Sequence, residues 1–268
     1  VRDTEALLTA FDAQARAEPP GPPPGIRYEH DGPVLRVVGA ARGFISAPPD
    51  TGLRGAELDE LIARQRDYFA ERGEAVEWKT YAHDQPPDLT TRLSAAGFAA
   101  EDTETVVVGR TEQMATPPVL PQGVMLRQVT ADADMRRIAD MESAVWGKDR
   151  DYTGDHLIRE LAAAPENFVV LVAEAGGQVV AAGWISFQPG SGFAGLWGGA
   201  TLRDWRRQGI YHALVAARAR LAAARDVPYL QVDASSDSAP ILRRLGFHPI
   251  TTTTPYVWTP PRGFAERP

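Results

Sequence analysis

A predicted strand runs into a short loop rich in arginine and glycine, and a helix opens directly from that loop. No other segment constrains the chain as much: Gly198-Gly199-Ala200-Thr201-Leu202-Arg203-Asp204-Trp205-Arg206-Arg207-Gln208-Gly209-Ile210-Tyr211-His212-Ala213-Leu214. Ile210, Leu214, Ala217 and Leu221 share one face of the expected helix. The first amides of a helix have no intrahelical acceptor, and glycine lets a ligand come close to them, so the turn is an anion site. A helix end supplies only about 0.3–1 kcal/mol per exposed charge, so Arg203, Arg206 and Arg207 must help for a diphosphate to be held. The other reading makes these arginines a solvated corner at a helix start. The turn lacks the lysine followed by Ser/Thr of a nucleoside-triphosphate loop and the Gly-x-Gly-x-x-Gly of a dinucleotide fold.

With 268 residues, 44% apolar and 24% charged, the chain can bury two ordinary cores. It contains no cysteine, which removes disulfides, thiolate metal sites and a cysteine nucleophile. The five histidines show no paired spacing, and no metal is expected. No Gly-x-Ser-x-Gly elbow is present for a serine hydrolase. A net charge of −7 argues against a nucleic-acid partner. No apolar run approaches the ~20 residues of a membrane helix, and the polar N-terminus does not read as a leader, so a soluble cytoplasmic protein is expected.

Proline-rich stretches at residues 19–25 and 117–123 punctuate the chain, the second reading as an interdomain linker. Ahead of it, helices are expected at 4–16, 57–72 and 88–96, with strands at 26–28, 34–38, 75–81 and 103–108. After it come a strand at 124–129, helices at 133–145 and 154–164, and a hairpin of strands 168–174 and 178–187 about Gly176-Gly177. A strand at 193–202, a helix at 209–225, a strand at 229–233, a helix at 236–245 and strands near 248–253 and 256–258 complete the pattern. The fold class is α/β, with mixed sheets covered on both faces. Both halves close alike, Leu93-Ser94-Ala95-Ala96-Gly97-Phe98 against Leu242-Arg243-Arg244-Leu245-Gly246-Phe247.

The loop resembles the acyl-CoA motif of the GCN5-related N-acetyltransferase (GNAT) family, Gln/Arg-x-x-Gly-x-Gly/Ala. Arg206 and Gly209 fill its first two fixed positions, and Tyr211 stands where the family has Gly or Ala. The resemblance covers about 135 residues and includes a second signature at Ser238–Phe247, in which Leu242 replaces a tyrosine that often protonates the departing thiolate. It implies acetyl-CoA as co-substrate, held by Ala200, Thr201, Arg206, Arg207, Gln208, Gly209, Ile210, Tyr211 and Ser235. Residues 34–108 resemble the family's later elements, their loop being Thr51-Gly52-Leu53-Arg54-Gly55-Ala56-Glu57. This implies two GNAT-like domains, each a mostly antiparallel twisted sheet with helices on both faces: a degenerate one at 1–116 and a CoA-binding one at 117–268.

The implied reaction is acetyl transfer to a primary amine of a small molecule or peptide, in a monomer or homodimer. An amine acceptor needs a nearby base to deprotonate it. Asp233, at a strand end, and Glu142, on the first helix after the linker, are the candidates. Trp146, Tyr152, Trp184 and Trp197 are candidate pocket walls. The competing reading, favoured by Leu242, is a catalytically inactive CoA sensor or interaction protein.

Overall fold

The computed structural model describes residues 2–18, 21–22, 24–40 and 42–261. The proline stretch expected at 19–25 falls partly outside them. Two compact units emerge that are not consecutive in sequence. The first comprises residues 1–106, 233–237 and 249–268, the second 107–232 and 238–248. These units cut across the expected division at 116/117. The proline-bearing segment expected as a linker lies inside the second unit, between α4 (Thr111–Met114) and β7 (Val124–Val129), because α4 packs on the later helix α7 (Ile210–Ala223).

In the first unit the chain runs α1 (Arg2–Ala10, continued by a wider turn at Phe11–Ala15), β1 (Arg27–Asp31), β2 (Val34–Val38), β3 (Gly43–Ser46), α2 (Gly55–Glu71), β4 (Val76–Tyr81), α3 (Leu89–Ala95) and the short β5 (Ala99–Ala100). The strands are ordered β1-β2-β3-β4-β12, with β12 (His248–Trp258) antiparallel to β4 and β3 parallel to it. Strand β3 escaped sequence reading because it is only four residues long and carries glycine at its start. That glycine is required: a Cβ on Gly43 would stand 2.1 Å from the Phe69 ring. Helix α2 buries Leu58, Leu61, Ile62 and Phe69 as its periodicity predicts, against Val34, Val38, Ile45, Val76 and Trp78. β12 is one strand where two were expected. Pro255 faces β5 with its missing N–H and still accepts there from the Glu101 amide (2.8 Å), so the ladder to β4 runs through it unbroken.

β6 (Glu104–Arg110) is divided between the units. The second unit continues with β7, α5 (Asp132–Trp146), α6 (Asp151–Ala163), β8 (Phe168–Ala175), β9 (Gln178–Phe187), β10 (Phe193–Thr201), a 3₁₀ turn (Arg203–Trp205), α7, β11 (Tyr229–Ala234) and α8 (Ala239–Arg244). Its strands are ordered β11-β10-β9-β8-β7, antiparallel except for β10 beside β11. Nearly every residue of β8 and β9 is buried, as it must be when both faces of a sheet are covered. Val170, Val172, Ala182 and Trp184 join Met135, Ile138, Met141 and Leu157 of α5 and α6. On the alternate face, Gly183 meets Arg218 of α7. Helix α6 begins three residues earlier than expected, and Gly154 falls inside it. A Cβ there would come within 3.3 Å of the Met135 carbonyl, so glycine lets α6 lie close on α5.

The same order occurs twice along the chain: strand, loop, long helix, parallel strand, short helix, Gly-Phe, strand. β3 pairs with β4 over Gly43–Ile45, and β10 with β11 over Phe193–Gly195, each ladder only three residues long.

Candidate functional site

Strand β10 leaves its ladder with β11 after Gly195, yet continues along β9 to Thr201. Its register with β9 shifts between Gly198 and Ala200, a β-bulge built on two glycines with φ of +69° and +93°. Side chains fix these identities. A Cβ on Gly198 would lie 2.5 Å from the Trp184 ring, and one on Gly199 would lie 2.7 Å from the ring of Tyr211. The residue that departs from the family motif is therefore matched by a glycine in the bulge it covers.

Beyond Thr201 the loop is closed by its own polar groups. Arg206 Nε donates to the Thr201 carbonyl (3.0 Å), and Gln208 Nε2 donates to the carbonyl of Asp204 (3.0 Å). Arg207 (φ +61°) and Gly209 (φ +83°) are left-handed, and α7 starts at Ile210 with no capping side chain. Its first amides are thus open to a ligand. Arg203, Arg206 and Arg207 are exposed, and none forms an ion pair among the described residues. Cavities flank the loop on two sides: one of about 540 Å³ reaches Arg203 and Arg206, another of about 590 Å³ reaches Gln208, Gly209, His212 and Arg244.

The corresponding loop of the first unit is satisfied internally. Asp50 accepts from the Gly52 amide (2.8 Å) and from both terminal nitrogens of Arg54 (2.8 and 2.9 Å), and these bonds hold its carboxyl down to about 2. The loop's one arginine is thus paired with a carboxylate of the same loop.

Helix α7 is tied to the bulge from beneath. Arg218, fully buried, donates to the carbonyls of Leu214 (3.0 Å), Trp184 (3.2 Å) and Trp197 (3.0 Å), and burial pulls its guanidinium down to about 10. Sequence periodicity had Ala217 and Leu221 on the buried face, but both are half-buried. The tightly packed positions are Ile210, Ala213–Ala216, Arg218, Ala219 and Ala222. Arg218 and the exposed Arg220 both lie in this apolar helix, and nothing in the sequence marks which of them is buried.

A pocket of about 290 Å³ opens at the bulge, lined by Glu142, Trp146, Arg150, Tyr152, Thr153, His156, Trp184, Gly198 and Ala200. Glu142 is buried, and its Oε2 accepts from Thr153 Oγ1 (3.0 Å). Burial pushes its carboxyl above the ordinary range. Burial also lowers His156, disfavouring the charged form of its ring. Trp146 and Tyr152 are half-exposed at the mouth, and Trp184 is buried at the base. Of the four aromatic candidates only Trp197 stays out, its indole lying against Gly195 and donating to Ser186 Oγ (2.8 Å). His156, Arg150 and Thr153 were not singled out from sequence. Their common signal, a polar residue on each turn about the start of α6, shows only once that start is moved to Asp151.

The structure gathers Ala200, Thr201 and residues 206–211 in the second unit with Glu142. Asp233 and Ser235 fall in the first unit. There the Asp233 side chain is buried and ion-paired with Lys79, whose ammonium burial would lower but the Asp233 charge holds well above its usual value. Only Asp233 Oδ2 meets Lys79; Oδ1 is buried without a hydrogen-bond partner.

No cluster of side chains suited to a metal ion occurs among the described residues, and no helix among them is long and apolar enough to cross a membrane. Comparison with known proteins gives a match of residues 134–247 to the acetyltransferase (GNAT) family. No curated protein matches the chain. Among solved structures, a GCN5-related N-acetyltransferase from Kribbella flavida is 17% identical with a TM-score of 0.64, over 98% of this chain and 96% of that one. A tandem GNAT protein from the clavulanic acid biosynthesis pathway is 15% identical with a TM-score of 0.63, over 96% and 94%. A functionally unknown protein from Staphylococcus epidermidis shares the fold at 12% identity and a TM-score of 0.63, over 92% and 97%. The fold of nearly the whole chain is that of these proteins, and its second half carries a domain of the GNAT acetyltransferase family.

Proposed function

We propose that the second unit is an acetyl-CoA-dependent N-acetyltransferase acting on a primary amine. One observation carries the reading: the pocket holding the buried carboxylate of Glu142 shares Gly198 and Ala200 with the bulge from which the arginine loop departs. An acceptor in that pocket and a thioester along the bulge would meet at one place. The diphosphate of the co-substrate is assigned to the amides opening α7 and to Arg203, Arg206 and Arg207. Backbone N–H of the bulge near Ala200 and Thr201 would polarise the thioester carbonyl.

Glu142 takes the proton of the acceptor ammonium, and the freed amine attacks the carbonyl carbon. The C–N bond forms as the C–S bond breaks, the thiolate must gain a proton, and the surplus proton that the nitrogen sheds on becoming an amide restores the donor. Tyr211 is the donor in this reading. Its ring covers Gly199, and burial keeps its phenol protonated.

A second reading rests on Leu242, fully buried in α8, where the family often has a tyrosine: the unit binds acyl-CoA without transferring it. Free-thiol release from acetyl-CoA across a panel of primary amines separates the two. Amine-dependent release that is lost in Glu142→Gln supports the transferase; release at the hydrolysis background for every amine supports the sensor.

A further inference from the structure

The pocket at Glu142 contains a second charge that the transfer step does not use. Arg150 lies between α5 and α6, anchored through its own amide to Ser143 Oγ (2.9 Å). Its guanidinium stands over the rings of Trp146 (5.5 Å) and Tyr152 (5.3 Å) at the pocket mouth. It forms no ion pair among the described residues, with Glu142 or any other carboxylate, and its Nε is buried without a hydrogen-bond partner. Buried polar groups are normally satisfied, and a guanidinium stacked on aromatic rings still presents its planar edge to an anion.

We propose that the acceptor is a small amino acid-type zwitterion whose carboxylate is received by Arg150 while its amine meets Glu142. The inference rests on the transferase reading and deepens it. A cavity of about 290 Å³ takes a molecule of amino-acid size. Trp146, Tyr152 and Trp184 make its walls apolar and flat, which suits an aromatic or aliphatic body. A polyamine or an aminosugar with several ammonium groups would bring like charge against Arg150. The arrangement instead separates one positive from one negative end.

The test compares L-phenylalanine with phenethylamine and L-phenylalaninamide as acceptors for the full chain. The amide has the more acidic ammonium, so amine reactivity alone would favour it, and a preference for the free acid must come from the carboxylate. The expected result is a kcat/KM at least tenfold higher for L-phenylalanine than for either analogue. The difference should lie mainly in KM, and in Arg150→Met the ratio should fall toward one while Arg150→Lys retains part of it. Equal or better use of the amide or amine overturns the proposal. Should no amine release thiol, the transferase reading fails on its own. Calorimetry with the three compounds in the presence of CoA then decides this one, supported by at least tenfold tighter binding of L-phenylalanine and overturned by equal or absent binding.

Discussion

In the proposed reaction Glu142 would act as base through the same property, burial of its carboxyl, that makes it unfavourable for the fold. Burial raises its carboxyl above the ordinary 4.5, so the proton is bound more tightly in the folded chain than in the unfolded one. The stability this contributes is complete below the ordinary value and is lost as pH rises through the raised one. At neutral pH, Glu142→Gln should therefore unfold at the same or a higher temperature than the wild type in a thermal melt. In the same variant, kcat should fall by about 100-fold or more, as for loss of a general base. In the wild type, kcat/KM should decline on the acid side with a midpoint above the usual carboxylate range. A midpoint in that usual range would point to another group. Tyr211→Phe keeps the ring over Gly199 and removes only the hydroxyl, so acetyl-CoA affinity should be unchanged while kcat falls by about 10-fold or more. An equal loss in affinity would make Tyr211 a packing residue alone.

At the scale of elements, periodicity located α2, α5, β7 and β9 to within a residue or two, because each buries a regular face. What it missed follows from exceptions to that rule. β3 is too short to show alternation, α6 starts ahead of its glycine, and Arg218 is a charge on an apolar face. The bulge was not read from the sequence, where 193–202 reads as one strand, since the rings of Trp184 and Tyr211 that exclude a Cβ come from other elements. Gly199→Ala should lower stability by about 1–3 kcal/mol in urea unfolding, from the ring contact together with the left-handed φ. In the first unit, Lys79→Met leaves the buried Asp233 carboxylate unpaired and should be destabilising by about 3–5 kcal/mol. The double variant Lys79→Met/Asp233→Leu should recover most of that loss, as a structural pair requires and a catalytic aspartate would not.

Over the whole molecule the chain repeats one order of elements, and the two loops have diverged in charge. Sequence comparison of the halves showed this in Gly-Phe closures and in a loop with a single arginine. It did not show that Asp50 neutralises Arg54, because that bond forms only when the loop turns back at Gly52. The position of β12 was also invisible, since pairing with β4 is a contact between residues more than 170 positions apart. From these differences one co-substrate site per chain is expected, in the second unit. Calorimetric titration of the full chain with acetyl-CoA, repeated on the folded double variant Arg206→Ala/Gly209→Glu, is the most direct test. We predict one site per chain and an affinity more than tenfold weaker in the double variant, which loses a phosphate partner and sets a carboxylate beside the phosphates. Absence of binding to the wild type, or an affinity unaffected by the double substitution, would contradict the assignment of the loop.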